Sequence, residues 1–262
     1  MMRSLDIGAT GMLAQQTNVD VISNNIANMT TTGYKRRRAA FQDLIYQNID
    51  RPGSTSSDAG TTVPTGIQLG LGVRTGAVYR EHGQGALRIT ENPLDLAITG
   101  KGFFQVQTPD GDIAYTRDGT FQVNENGELV TIQGFIIEPG ITIPADATNI
   151  DINEDGEIIV SISGQTATQN VGQIQLANFI NPPGLEAIGD NLFLETDASG
   201  SPTTGNPGQD DFGRIRQAAI ETSNVNVVEE ITNLITAQRA YEMNSNVIST
   251  SDEMLQTVSQ LR

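Results

Sequence analysis

Asp151, Asn153, Asp155 and Gly156 in the run DINEDG place side-chain oxygens at alternate positions ahead of a glycine, which is the first half of a loop that rings a calcium ion. The second half is missing. Its twelfth position, where a bidentate glutamate closes the shell, holds Ile162, and the flanks read as strands rather than helices. A hairpin turn is therefore expected here and no metal. Gly70, Gly72 and Gly76 in GLGVRTG suggest a phosphate-cradling loop, but the third glycine comes one residue late for the dinucleotide pattern and no helical period follows. A strand edge is expected instead. The single histidine, His82, lies in YREHGQG beside glycines and reads as an exposed turn residue. Lys35, Arg36, Arg37 and Arg38 form the one basic run. Without interleaved aromatics or a basic surround, the run reads as solvated or salt-bridging rather than as a nucleic-acid contact.

The remaining chemistries lack their parts. There is no G-x-S-x-G, no Walker sequence and no histidine pair at metal-ligand spacing. The absence of cysteine removes thiolate nucleophiles, thiolate metal sites and disulfides. Carboxylates are plentiful enough for a glycosidase-like pair, yet with no tryptophan and 5% aromatics few platforms could hold a sugar. No catalytic residue, cofactor or metal is assigned, and a non-enzyme is expected.

The 262 residues suffice for one large domain or two ordinary ones. Lys and Arg number 15 against 31 acidic residues, for a formal charge of -16, so the chain as a whole repels nucleic acid and anionic membrane. No window approaches the ~20 apolar residues of a membrane span, and no direct membrane insertion is expected. The start, MMRSLDIGATGMLAQQ, lacks the apolar run and cleavage site of a secretory leader, so export by another route is expected.

The elements that could position any function differ between the ends and the middle. All 10 prolines lie between Pro52 and Pro207, and no glycine or proline follows Gly213. From Leu5 a 3,4 spacing runs through Gly8, Met12, Gln15, Val19, Ile22, Ile26 and Met29. That is the period of a helix sealing one stripe against a partner. Gly8 and Gly11 each cost about 1 kcal/mol relative to alanine inside a helix, so its first turns need support. The segment should end near Gly33, a suitable C′ residue. Asn226 followed by Glu229 resembles a capping box and predicts a second helix. Its stripe runs through Val227, Ile231, Leu234, Gln238, Tyr241, Ser245, Ile248 and Leu255, thickened by Met254, Val258 and Leu261. About 35 helical residues reach ~50 Å, and such length needs a partner along most of it. The two end segments are the natural partners for each other.

Between them, runs such as LDLAIT, GFFQVQT, IAYTR, TFQVN and EIIVSI alternate with turn signals. Asp110–Gly111, Asp118–Gly119, Asn126–Gly127 and Asp155–Gly156 predict hairpin turns, because both residue types tolerate positive φ. An antiparallel sheet follows. Gln47 to Gly72 is rich in Gly, Pro, Ser and Thr and reads as a long extended connection. The fold class is thus α+β, with residues 1–33 and 222–262 pairing as a coiled coil, 34–73 a linker and extended stretch, and 74–221 a β-rich domain.

The helix faces outside the stripes carry Gln16, Asn18, Asn24, Asn25 and Asn28 in the first segment. In the second they carry Asn233, Asn244, Asn246, Ser249, Thr250 and Gln256. A two-stranded coil alone in water usually bears Glu and Lys there. Amides and hydroxyls can instead bond to neighbouring helices without burying charge, which points to dense helical self-assembly.

ISNNIANMTTTGYK, LDLAITGKGFFQVQTPDGDIAYTRDGTFQVNENGELV and NVNVVEEITNLITAQRAYEMNSNVISTSDEMLQTV resemble, in that order, the flagellar rod and hook family. Length and the YQNIDRPG to QLGLGV connection resemble its distal-rod branch. The alternatives are a proximal-rod paralogue and a secreted β-rich adhesin, the latter leaving the proline-free helical ends unexplained. The resemblance implies a homopolymer, an inner tube of paired terminal helices and an outer β layer. It also implies unfolded export through the flagellar type III apparatus, proximal rod, hook and basal-body ring proteins as partners, and a periplasm-spanning rod as the location. The stripe residues Leu5 through Met29 and Val227 through Leu261 are carried over as packing positions. Asp6 departs from the bulky aromatic often found there in the family.

Overall fold

The structure, a computed structural model, describes residues 2–50, 65–163, 167–209 and 211–260. Two compact units form. One comprises Met1–Ile26, Arg37–Tyr79 and Asn226–Arg262, the other Ala27–Arg36 and Arg80–Val225.

The first unit holds helix α1 (Met2–Ala27), strands β1 (Arg37–Asp43), β2 (Tyr46–Asp50), β3 (Ile67–Gly70) and β4 (Val73–Arg80), and helix α2 (Val227–Gln260). Asn226 caps α2, its side-chain oxygen accepting from the Val228 N–H at 3.2 Å, which satisfies a donor the helix start would otherwise leave open. β1 pairs with β4, and β2 with β3 antiparallel, Tyr46 opposite Gly70 and Asp50 opposite Ile67. The expected connection between Gln47 and Gly72 thus begins and ends in paired strands, while 51–64 and Leu261 lie outside the described residues. The glycines of GLGVRTG allow close approaches. Gly72, at φ 115°, sits against Thr10 of α1, and Gly76 against the Gln42 side chain.

The two helices meet in opposite directions. Ser251 Oγ donates to Ser4 Oγ at 3.1 Å, and Ile248 and Asn244 stand 2.9 and 2.8 Å from where β-carbons on Gly8 and Gly11 would lie. Asn25 Nδ2 donates to Glu230 Oε2 at 3.3 Å. The glycines expected to weaken α1 are occupied by α2 side chains, because a missing side chain leaves room for Ile248 and Asn244.

The second unit contains β5 (Leu87–Ile89), β6 (Leu96–Thr99), β7 (Phe103–Gln107), β8 (Ile113–Thr116), β9 (Phe121–Val123), β10 (Leu129–Thr131) and β11 (Ile136–Ile137). Then follow β12 (Ala147–Ile152), β13 (Glu157–Ile162), β14 (Thr168–Gln173), β15 (Leu176–Asn178), β16 (Glu186–Gly189), β17 (Leu192–Leu194), β18 (Thr203–Gly205), β19 (Arg214–Gln217) and β20 (Ala219–Glu221). The main sheet runs β16-β17-β8-β7-β11-β10-β9, with β15 also on β7 and β18 on β15. Smaller sheets are β12-β13-β14, β19-β6 and β20-β5. The pairing is antiparallel, as the turn signals predict. β7 is buried on both faces: Phe104 and Val106 enter the larger core with Phe121, Ile158 and Leu176, and Phe103 enters a smaller one with Tyr115, Phe179 and Phe193. Phe104 and Phe121 pack edge to face at 5.1 Å, a geometry set by the ring quadrupoles.

Turn chemistry holds at three of the four expected hairpins. Gly111, Gly127 and Gly156 take φ of 92°, 83° and 80°. In DINEDG the Asn153 side chain closes the turn, donating to Glu157 Oε2 and accepting from the Glu157 N–H. Asp118–Gly119 is different. Asp118 Oδ1 accepts from Thr120, while Gly119 lies against the Leu96 backbone, its carbonyl accepting from the Leu96 N–H at 2.9 Å. That glycine serves a close approach between chain segments and not a hairpin.

Candidate functional site

Among the described residues, no grouping of His, Cys, Asp or Glu could hold a metal ion, and no helix is long and apolar enough to cross a membrane. The groups with distinctive surroundings are the helix faces, a buried charge cluster and a cleft beside it.

On α1 the expected stripe residues Leu5, Met12, Val19 and Ile26 are partly buried and Ile22 is buried, while Met29 lies beyond the helix end, exposed. On α2 the inward positions are Val227, Glu230, Leu234, Ala237, Ala240, Asn244, Ile248, Ser251 and Leu255, all buried or partly buried. The stripe drawn from sequence shares Val227, Leu234, Ile248 and Leu255 with this ladder. At the alternate steps it is one residue off: Ile231, Gln238 and Ser245 are exposed, as is Tyr241. The reason is local. Ser251 reaches Ser4 and Glu230 reaches Asn25, and Ala237 between them is buried. Asn25, expected on an outward polar face, is buried. Its amide donates to the Arg37 carbonyl at 2.8 Å and accepts from the Arg37 N–H at 2.8 Å, so it imitates a strand neighbour for β1.

The charge cluster lies in the second unit, where the segments that follow α1 and precede α2 in sequence run side by side. The Gly33 N–H donates to the Glu221 carbonyl at 2.8 Å, and the Arg36 N–H to Asn224 Oδ1 at 2.7 Å. Gly33, at φ 68°, has the Arg117 and Asp118 backbone 2.9 Å from where a β-carbon would stand, so both conformation and space require glycine. The Glu221 carboxylate accepts from Lys35 Nζ and Arg117 Nε, each at 2.6 Å, and from the Gly85 N–H at 2.7 Å. Lys35 Nζ also donates to the Gly83 carbonyl at 3.0 Å. Arg117 donates further to the carbonyls of Gly102, Ile98 and Gly100. Burial alone raises the Glu221 pKa, but the Arg117 and Lys35 charges outweigh it and hold the carboxyl below its ordinary range. Burial pulls Lys35 below its ordinary value, and Glu221 offsets part of that. The cluster ties five chain segments together.

Sequence reasoning missed this cluster. Lys35 read as part of a solvated or salt-bridging run; it is salt-bridged to Glu221 but buried, while its neighbour Arg36 pairs nearer the surface with Glu81 at 2.5 Å. The available signal was a charge ending a strand run, Glu221 after QAAI and Arg117 after IAYT.

His82 is likewise not an exposed turn residue. Its ring packs edge-on against Phe103 and Phe193 at 5.9 and 6.3 Å, and its Nε2 is buried with no partner. Burial first, then the charges of Lys35, Arg80 and Arg117, lower its pKa to about 4. His82, Lys35, Arg117, Phe103, Phe179 and Phe212 line a cleft of about 760 Å³.

Comparison with known proteins places the helix faces in context. Residues 5–35 match the family described as flagella basal body rod protein. Residues 97–160 match the flagellar hook protein FlgE/F/G D1 domain, and 216–261 the flagellar basal body rod FlgEFG protein C-terminal. The chain is 59% identical over 261 residues to the flagellar basal-body rod protein FlgG of Caulobacter vibrioides, covering 100% of both chains. It is 55% identical to that of Buchnera aphidicola, again over 100% of both. To that of Bacillus subtilis it is 40% identical over 269 residues and 100% of both.

Proposed function

Because the chain belongs to the family of flagellar basal-body rod proteins named FlgG, we propose that it acts by self-assembly, its two helices packing as a coiled coil within each copy and then against the helices of other copies. It is a structural subunit of the flagellar basal-body rod. The observation that carries the assembly reading is the apolar surface α2 keeps outside its contact with α1. Val228 is 74% and Ile235 54% exposed, and Ile231, Met243, Val247 and Met254 are exposed as well. Burying such a side chain fully contributes roughly 1.5–3 kcal/mol, so several per copy supply an association that one intramolecular partner leaves unused.

In this reading the helices line the inside of a hollow shaft and the β unit forms its jacket. Torque passes from motor to hook through many shallow contacts. The buried cluster at Glu221 fastens, within the β unit, the two segments that continue into the helices, so a load on either helix reaches the sheet. Proximal rod, hook and ring proteins are the partners at its ends and flank, and the type III apparatus exports the chain. No chemistry is assigned to it.

Electron microscopy of concentrated purified protein should show filaments. The double variant Ile231→Asp with Ile235→Asp should abolish them while leaving the circular dichroism and melting of the monomer unchanged, since both side chains are exposed. Filaments of normal length from that variant would sink the proposal.

A further inference from the structure

The β7–β8 hairpin carries a socket at one end and a projection at the other. Phe104 pairs with Thr116 at one end of its ladder and Gln107 with Ile113 at the other. Gly102, Phe103 and Arg117, at the first end, line the 760 Å³ cleft. Residues 108–112 close the opposite end, about five residues away, or ~17 Å at ~3.4 Å per residue.

The socket is unbalanced in charge and in hydrogen bonds. Lys35 and Arg117 are 3% and 6% exposed and share the single carboxylate of Glu221. Lys35 Nζ makes two bonds where an ammonium has three donors, and the buried Nε2 of His82 has no partner. Above this floor the apolar lining is Phe103, Phe179 and Phe212, beside the ion-paired Lys101 and Asp211, and Ile180 stands at the rim, 92% exposed. A carboxylate joined to an apolar body satisfies both the floor and the walls.

The projection has that chemistry. Asp110, Gly111, Asp112 and Ile113 are all exposed. The turn is held by the Thr108 N–H on the Asp112 carbonyl and the Gly111 N–H on the Thr108 carbonyl, each 2.9 Å. Among the described residues nothing lies within 4 Å of where a β-carbon on Gly111 would stand, so there is open space at the turn's glycine.

We infer that the cleft of one copy receives the Asp110–Ile113 turn of a second copy, an aspartate meeting Lys35 and Arg117 while Ile113 meets the phenylalanines. The inference rests on the self-assembly proposed above and names one of its contacts. Socket and projection are different patches of one unit, so the contact is head to tail. Such a contact is not an isologous two-fold dimer, and where its rotation does not close a ring it propagates as an open helix.

The absence of cysteine makes the test clean. Single variants Asp112→Cys and Ile180→Cys are mixed at filament-forming concentration and oxidised with diamide, and the products are mapped by mass spectrometry. Disulfide formation needs Cα atoms within about 7 Å. The expected result is filaments carrying a 112–180 disulfide at least tenfold above the 112–112 and 180–180 disulfides of the same mixture. 4-Phenylbutyrate, a carboxylate on an apolar body, should compete and lower that yield. Asp110→Lys with Asp112→Lys, both exposed, should raise the concentration needed for filaments about tenfold. Filaments without the disulfide overturn this contact and leave self-assembly standing, and so does 4-phenylbutyrate binding in the cleft of filaments that never cross-link. No filaments from the unmodified chain overturns both.

Discussion

Lys35 Nζ lies 2.6 Å from Glu221 Oε1, a buried ion pair between groups 186 residues apart in the chain. Arg117 Nε reaches the other oxygen of the same carboxylate at 2.6 Å. Glu221→Ala therefore leaves two buried cations facing each other and removes the acceptor of the Gly85 N–H. Breaking a buried pair in this way typically costs about 3–5 kcal/mol. Urea unfolding of the variant should show a loss of that size, and a loss below about 1 kcal/mol would mean that solvent already screens the cluster.

Asn25 offers both halves of its amide to the backbone of Arg37. Asn25→Asp keeps the acceptor but not the donor, and it sets a carboxylate against Glu230, 3.3 Å from the present amide nitrogen. Removing the donor from the part-buried Arg37 carbonyl costs about 1 kcal/mol, and the like-charge pair adds to it. Native-state hydrogen exchange at the Arg37 amide should still be slow in Asn25→Asp and should become fast in Asn25→Ala, which has no acceptor. Equal exchange in the two variants would refute the bridge.

Ala237 faces inward on α2 and is 2% exposed, whereas Gln238 faces out. Ala237→Leu should overpack the helix contact and lower stability by about 1–3 kcal/mol. Gln238→Leu should stay within ±0.5 kcal/mol. The reverse order in thermal melts would restore the phase drawn from the sequence.

That phase marks what sequence could and could not disclose. The 3,4 period of both helices was legible because apolar residues recur along them, and Asn226 was legible as a cap. Which of two adjacent positions faces inward was not. The choice between Glu230 and Ile231, or Ala237 and Gln238, depends on a partner helix brought close by Gly8, and on Asn25, which answers Glu230. Turn residues located the hairpins at Gly111, Gly127 and Gly156, since a positive φ is a local demand. At Asp118–Gly119 the same dipeptide meets a demand from Leu96, more than twenty residues earlier, and so misled. The Lys35, Arg117 and Glu221 cluster escaped notice for the same reason: each charge is ordinary in its own neighbourhood, and only the fold brings them together.

His82 supplies a pH dependence whose sign is fixed by its surroundings. Burial, then Lys35, Arg80 and Arg117, hold the folded pKa at about 4 against an ordinary 6.5. Between those values the unfolded chain takes up a proton that the folded chain refuses, so acid favours unfolding. The contribution from keeping the ring neutral is whole above pH 6.5 and drains as pH falls toward about 4. Glu221 acts in the same direction lower down. Its folded pKa lies below 4.5, so what it contributes is present above pH 4.5 and is lost as pH falls through its folded value. The urea midpoint should therefore begin to decline near pH 6.5, before the carboxylates titrate. His82→Phe, which keeps an aromatic ring beside Phe103 and Phe193, should flatten the upper part of that decline and leave the lower part. An unchanged slope between pH 6.5 and 5 in this variant would assign the proton to another group.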